Sequence, residues 1–276
     1  MSDQLEKQLL DKIFSDLEND NMVLPTLPEV ALRVRKTLED EDAGMGDVAK
    51  IITTDAALSA RLIQVANSPL LRAARAIESV EIAVTRMGGD MTRNLVTSIV
   101  MEQMFQATSD ATDSRLRAIW EHSTQVAAMS HALTNQFTKL KPDQALLAGL
   151  VHDIGVLPIL TMAEDIPELL DDEKLLDRII LKAHPSIGEA ILKKWNFAQE
   201  IIPVAAEHEN ILRDHAGDAD YVDVIIVANM ESHLGSNHAH ASVDLSTVPA
   251  FAKLGLEAEF EVVDIEAVKE TQAALA

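Results

Sequence analysis

Apolar residues recur at spacings of three and four along almost the whole chain, and strict alternation over more than a few residues is hard to find. This pattern predicts an all-helical protein. Ser2 to Leu17 reads as an amphipathic helix. Leu24-Pro25-Thr26-Leu27-Pro28 then forms an extended entry, because each proline fixes its own backbone and restricts the residue before it. Helices follow over Glu29 to Leu38, from Gly46-Asp47 with Asp47 as cap, and over Ala56 to Val65. Another runs from Ser79 to Met87, where Gly88-Gly89 should stop it, and Asp90 should cap a long helix reaching Phe105. Residues 107–114, ATSDATDS, have almost no apolar content and mark the expected boundary between two helical lobes, 1–108 and 109–276.

Beyond that boundary the same spacing predicts helices near Arg115 to Phe137, Pro142 to Ile154, Lys174 to Ala183, Pro185 to Trp195, Pro203 to Glu209 and Tyr221 to Leu234. Ser236 to Ala241 reads as a polar loop, with closing helices over Val248 to Leu254 and Val262 to Leu275. Ten glycines and nine prolines are few for the hairpins of a sheet protein.

Composition narrows the chemistry. The 276 residues are 47% hydrophobic, enough for one large core or two modest ones. The absence of cysteine excludes disulfides, thiolate zinc sites, iron–sulfur clusters and a cysteine nucleophile, so any metal must be held by histidine and carboxylate. With 23 Lys+Arg against 45 Asp+Glu the net charge is −22, a field that repels phosphate backbones and anionic bilayers. Neither a nucleic acid nor a membrane is expected as partner. The chain starts without a basic, apolar leader and shows no long uncharged apolar run, so the expected location is cytoplasmic.

Seven of the nine histidines lie between His122 and His233. His122 shares a helical stripe with Ile119, Val126, Met129 and Leu133, which reads either as a hydrogen-bonded core residue or as a ligand. His152-Asp153 ends the apolar run Ala145 to Val151, where a capping role and a metal role are both open. His184 stands before Pro185 at an expected helix start, and Glu207-His208-Glu209 follows Pro203. Asn229 lies on the stripe Val222, Ile225, Ile226, His233, where a buried amide needs a hydrogen bond or a ligand. His131, nine positions after His122, falls on the solvent side of its helix, and His215 lies in a polar loop. His238 and His240, near His233, could chelate a metal only at the cost of ordering their loop. Glu164-Asp165 through Asp171-Asp172-Glu173 reads as a solvated acidic face, and Met101 and Met104 as core filler.

These residues carry a resemblance. A helical histidine, a His-Asp doublet in HDIG thirty positions later, His-Pro with a following glycine, and then His-Glu are similar to the HD superfamily of metal-dependent phosphohydrolases. The first half resembles the HDOD family, a divergent and mostly signalling-associated branch. It does so through Leu24-Pro25 with Leu27-Pro28, Asp47 through Ile51-Ile52, Asp55-Ala56-Ala57-Leu58, Arg61-Leu62, Ala66-Asn67-Ser68, Ile77, Ser79-Val80, Ala83, Met87-Gly88 and Asn94-Leu95-Val96.

The resemblance implies a first metal held by His122, His152, Asp153 and the position of a late aspartate, here Asn229. It implies a second metal bridged by Asp153 and bound by His184 and His208, with Glu207 where phosphodiesterases of the HD-GYP branch show another histidine. Val156 stands where catalytic HD-GYP domains carry lysine after HDIG. The expectation is therefore a signalling or regulatory module acting through a protein partner, with a degenerate HD-type pocket and one or two divalent ions (Fe, Mn, Zn or Mg). The alternatives are a metal-dependent phosphohydrolase of a nucleotide or phosphoester, and a nucleotide sensor without turnover.

Overall fold

The computed structural model describes residues 2–69, 71, 76–106, 109–236, 239–256 and 264–275, and among them there is no strand. The first half builds α1 (Ser2–Glu18), α2 (Glu29–Glu39), α3 (Met45–Thr53), α4 (Ala56–Ala66) and α5 (Val80–Met101), which ends in a 3-10 turn (Glu102–Phe105). The second half builds α6 (Asp110–Phe137), α7 (Pro142–Val151), α8 (Val156–Glu164), α9 (Pro167–Asp171), α10 (Glu173–Lys194), α11 (Ile202–Glu207) and α12 (Tyr221–Ser232). Two 3-10 turns (Ala239–Ser242 and Leu245–Thr247), α13 (Pro249–Lys253) and α14 (Ile265–Leu275) close it.

Local chemistry starts several of these helices. Side chains of Asp55, Ser79 and Asp172 accept the backbone N–H of Leu58, Ile82 and Leu175, each satisfying a donor that the first turn leaves over. Asp47 is not the cap of α3. Gly44 is, and the Asp47 carboxylate reaches back to accept its N–H at 3.1 Å. Gly88 kinks the chain (φ 74°, ψ 179°) rather than stopping it, because the helix resumes at once. Asp90, expected as a cap, pairs with Arg93 and with Lys141 of the α6–α7 turn. Asn67 clamps the loop after α4, donating to the carbonyls of Ile63 and Ile77 and accepting the Ile77 N–H.

Other boundaries move for packing reasons. α6 begins at Asp110, inside the polar 107–114 segment, where Ser109 and Thr112 hydroxyls both donate to Glu164 at 2.6 Å. Glu164 is thus a tied acceptor rather than part of a solvated face. The helices expected on either side of His184 are one element, α10, with Pro185 inside it. α8 and α9 had no counterpart in the predicted elements. The stretch Pro142–Glu164 is long and apolar enough to cross a membrane, yet here it is two helices turning a corner, mostly buried in the core. The expected closing helix from Val262 begins on residues outside the described set.

We propose residues 107–114 as the division between two lobes. α2–α5 pack around Val34, Ile52, Leu62 and Leu95, and α6–α12 around α7, with Leu146, Leu150, Ile179 and Ile225 fully buried. The apolar core is continuous across that division. α1 crosses over to α10, where Glu6 accepts from Arg178 and Lys182, and α14 lies against α6 and α4.

Candidate metal centre

Backbone carbonyls about one turn back orient the rings of three histidines. His152 caps the C-terminus of α7, and its Nδ1 donates to Gly149 O at 2.7 Å. His208 caps α11, its Nδ1 3.0 Å from Val204 O and 3.1 Å from Ala205 O. His184 lies within α10 just before Pro185, and its Nδ1 donates to Ile180 O, one turn back, at 2.8 Å. For His152 and His208 the acceptors belong to the last turn of α7 and of α11, where carbonyls run short of intrahelical donors. The fourth ring, His122 on α6, places Nδ1 3.4 Å from the Ser232 hydroxyl, which itself donates to Asn229 O.

A proton held on Nδ1 leaves Nε2 as a lone pair, and all four Nε2 atoms face one carboxylate. Asp153 Oδ2 lies 3.7 Å from His122 Nε2 and 3.4 Å from His152 Nε2. Its Oδ1 lies 3.5 Å from His184 Nε2 and 3.2 Å from His208 Nε2. The Nε2 atoms of His122 and His152 are 3.2 Å apart, and those of His184 and His208 are 3.1 Å apart. Two lone pairs at that distance repel unless a proton or a cation lies between them. The five residues thus form two three-ligand groups, His122-His152-Asp153 and Asp153-His184-His208, sharing the aspartate.

Two glycines make this convergence possible. A Cβ on Gly149 would sit 2.6 Å from the Ala127 Cα, so α7 lies against the backbone of α6 one turn beyond His122. A Cβ on Gly155 would sit 2.0 Å from His184 O and 2.6 Å from Gly188 N, so the α7–α8 corner rests directly on α10.

Electrostatics agree with a cation site. Burial alone would raise the Asp153 carboxyl, but His152, His208 and His184 around it hold it well below the usual carboxylate range. Burial pushes His152 down to about 3 and lowers His184, each partly offset by Asp153. For His208 burial acts the same way, yet the hydrogen bond and charge of Asp153 win and raise it. Neutral His152 and His184 beside an ionised Asp153 are in the protonation state a divalent cation needs, and His208, whose proton Asp153 favours, would release it on binding one.

The centre opens on a cavity of about 450 Å³. Asn229 lines it, 2% exposed, with its Oδ1 buried and without a hydrogen-bond partner among the described residues. A cation beside it would fit that orphaned oxygen. Glu207 lies elsewhere, accepting from Arg213 Nε at 2.7 Å on the far side of α11. Glu209, two residues on, takes the place beside the centre instead, its Oε1 3.6 Å from His208 Nε2 and its Oε2 3.7 Å from His240 Nε2. His233 stacks on His122 with ring centroids 4.9 Å apart. Sequence reading missed Glu209 and the roles of His233 and His240. The only signal was proximity in sequence to His208 and Asn229, which does not tell Glu207 from Glu209. His238 lies outside the described residues.

Two other histidines differ from expectation. His131 is buried, because α6 is covered on several sides by α7, α12 and α14. His215 is not a free loop residue. Its Nε2 donates to Asp223 Oδ2 at 2.8 Å in a network where Arg213 also pairs with Asp220, Asp223 and Glu207. His215, Asp220 and Asp223 have metal-like spacing, but the Arg213 guanidinium already neutralises the carboxylates, and their geometry caps α12.

A solved structure from Shewanella amazonensis SB2B, named a candidate metal-dependent phosphohydrolase, is 33% identical, with a TM-score of 0.86 over 98% of this chain and 99% of that one. A structure from Marinobacter aquaeolei VT8, named a candidate signal transduction protein, shares the fold at 20% identity and a TM-score of 0.59, over 98% of this chain and 62% of that one. An uncharacterised protein of Treponema pallidum (strain Nichols) is 24% identical over 221 residues, 75% of this chain, which spans 42% of the length of that relative. The HDOD domain model matches residues 24–211, and the chain, most of whose length that match covers, belongs to the HDOD domain family.

Proposed function

We propose that this HDOD protein is a regulatory module of signal transduction that acts by contact with a protein partner. In this reading His122, His152, Asp153, His184 and His208 hold one or two divalent ions whose main role is structural. The observation that carries it is Asn229: the wall that α12 presents to the centre is a neutral amide, so Asp153 is the one carboxylate shared by both ligand groups. Two features of the cavity support it. Val156 and Ile180 contribute apolar surface, and the lining cation, Arg115, is tied to Asp177 at 2.7 Å. A phosphoester entering there would meet no unpaired positive charge among the lining residues.

A divalent ion bound by this set supplies Lewis-acid activation of a phosphoryl oxygen or of water. The chain's own part is orientation. The carbonyls of Gly149, Ile180, Val204 and Ala205 hold the imidazole protons on Nδ1, and the packing at Gly155 holds Asp153 against His184.

A second reading, a metal-dependent phosphohydrolase of a nucleotide or phosphoester, is favoured by the complete convergence of four histidines on one bridging aspartate beside a cavity. One experiment separates them. Protein purified without chelators or affinity-tag metals is expected to carry about one to two divalent ions per chain, and Asp153→Ala none. That variant should lose about 1 to 3 kcal/mol of stability in urea unfolding while its folded fraction keeps partner binding. Metal-dependent hydrolysis of an aryl phosphate, a nucleotide or a cyclic dinucleotide by the native chain, abolished in a folded Asp153→Ala, would establish the second reading instead.

A further inference from the structure

A second cavity, of about 350 Å³, lies between α2 and α5 on one side and α7 and the α10–α11 loop on the other. It shares no lining residue with the metal centre, from which α7 separates it: Gln144 in the first turn of α7 faces this cavity, and His152-Asp153 follow the last. The size suits a small metabolite.

Its charge runs against the rest of the molecule. In a chain of net charge −22, Arg35 and Arg93 line one cavity against a single lining carboxylate, the exposed Glu39. Arg35 is partly buried and donates through Nη1 to Trp195 O, and its guanidinium carbon lies 5.8 Å from the centre of the Phe197 ring. Among the described residues no carboxylate lies within ion-pair distance of it, and Glu39 acts on it only from farther off. Arg93 has one weak partner, Asp90 at 3.3 Å, itself 60% exposed. The two cations repel each other: burial first, and then the Arg93 charge, lower the Arg35 pKa, against a smaller opposing pull from Glu39. A half-buried guanidinium without a contact ion pair is costly, and a second one beside it adds to the cost.

We propose that this inter-lobe cavity is a binding site for a small phosphorylated metabolite of about mononucleotide size, whose phosphate is clamped between Arg35 and Arg93. Guanidinium forks match phosphate oxygens in paired hydrogen bonds, and the two positive charges match a phosphate of about −1.5 to −2, whereas a monocarboxylate would leave one arginine uncompensated. Gln144, whose Oε1 accepts the Tyr221 hydroxyl at 2.6 Å, also lines the cavity and keeps its amide N–H2 as a donor. Asn196, held in the left-handed region at φ 54°, and Gln199 supply further amides at the rim for the rest of the ligand. This site does not depend on the reading of the metal centre.

The test uses the full chain stripped of metal by chelator dialysis, so that the histidine centre cannot hold phosphate through an ion. Calorimetric titrations with inorganic phosphate, AMP and, as an uncharged control, adenosine are run on the native chain and on Arg35→Gln, Arg93→Gln and Arg115→Gln, each checked for fold by circular dichroism. Saturable binding of AMP and phosphate is expected below about 1 mM, without binding of adenosine. Arg35→Gln and Arg93→Gln should each weaken it about tenfold or more, and Arg115→Gln, at the other cavity, should leave it unchanged. If Arg35→Gln fails to fold, Arg93→Gln, which loses only a surface ion pair, decides. No saturable binding of either anion, binding that survives the Arg93→Gln change, or binding lost only in Arg115→Gln would overturn the proposal.

Discussion

His131 is held neutral inside the helical core. Burial pushes its pKa down to about 4 from an ordinary 6.5, with the charge of Asp143 pulling weakly the other way. Its Nδ1 has no hydrogen-bond partner among the described residues. The unfolded chain takes up a proton on this ring below its ordinary pKa and the folded chain does not until about 4, so the stability tied to His131 is present at neutral pH. It is lost as pH falls between those values and is constant below them. From about pH 7 to about pH 5 the native chain should lose about 2 kcal/mol more than His131→Leu, read from urea unfolding at both pH values. Equal losses in the two proteins would remove His131 as the source. At the same scale His152, His184 and His208 of the candidate centre owe their tautomers to backbone carbonyls about one turn away.

Between elements, the decisive contacts are close approaches of backbone to backbone. Gly155 lets the corner between α7 and α8 press onto α10 at His184 and Gly188. Gly155→Ala would drive a methyl group into a carbonyl and an amide nitrogen that belong to a helix and cannot rotate away. The expected cost is about 3 kcal/mol in urea unfolding, together with fewer divalent ions per chain if the centre holds metal as proposed, because α10 carries His184 away from Asp153. A variant as stable and as metal-loaded as the native chain would show that the two elements have room to spare. Pro185 illustrates a rule overridden by its surroundings: proline suggested a helix start, and the buried residues on both sides of it, Ala183, Ile187 and Ile191, hold α10 together through it.

Across the whole molecule, the proposed lobes share one apolar core, and both chain ends cross between them. α1 lies on α10, α14 lies on α4, and Trp195 of the second half donates to Pro25 O of the first. Urea unfolding followed by far-ultraviolet circular dichroism, which reports every helix, should therefore coincide with unfolding followed by the fluorescence of Trp120 and Trp195. Separated transitions would mean that the first lobe is stable by itself. The inter-lobe cavity with Arg35 and Arg93 belongs to this scale, since neither lobe alone encloses it.

The sequence by itself determined the helical class, most helix starts and the inward face of His122, while the set of converging histidines came from the family resemblance. Those features are written locally: Asp55 and Ser79 cap because a short side chain at that position reaches the N–H groups of its own first turn, and His122 faces inward because its apolar neighbours at helical spacing do. Only the tertiary structure decided which helix lies opposite which. Helical phase points a side chain, but the approach of α7 to α6 at Gly149, and of its corner to α10 at Gly155, sets what that side chain meets. That is why Glu209 and not Glu207 stands beside His208, why His131 is buried on a face that looked solvated, and why two arginines 58 positions apart in the chain share a cavity.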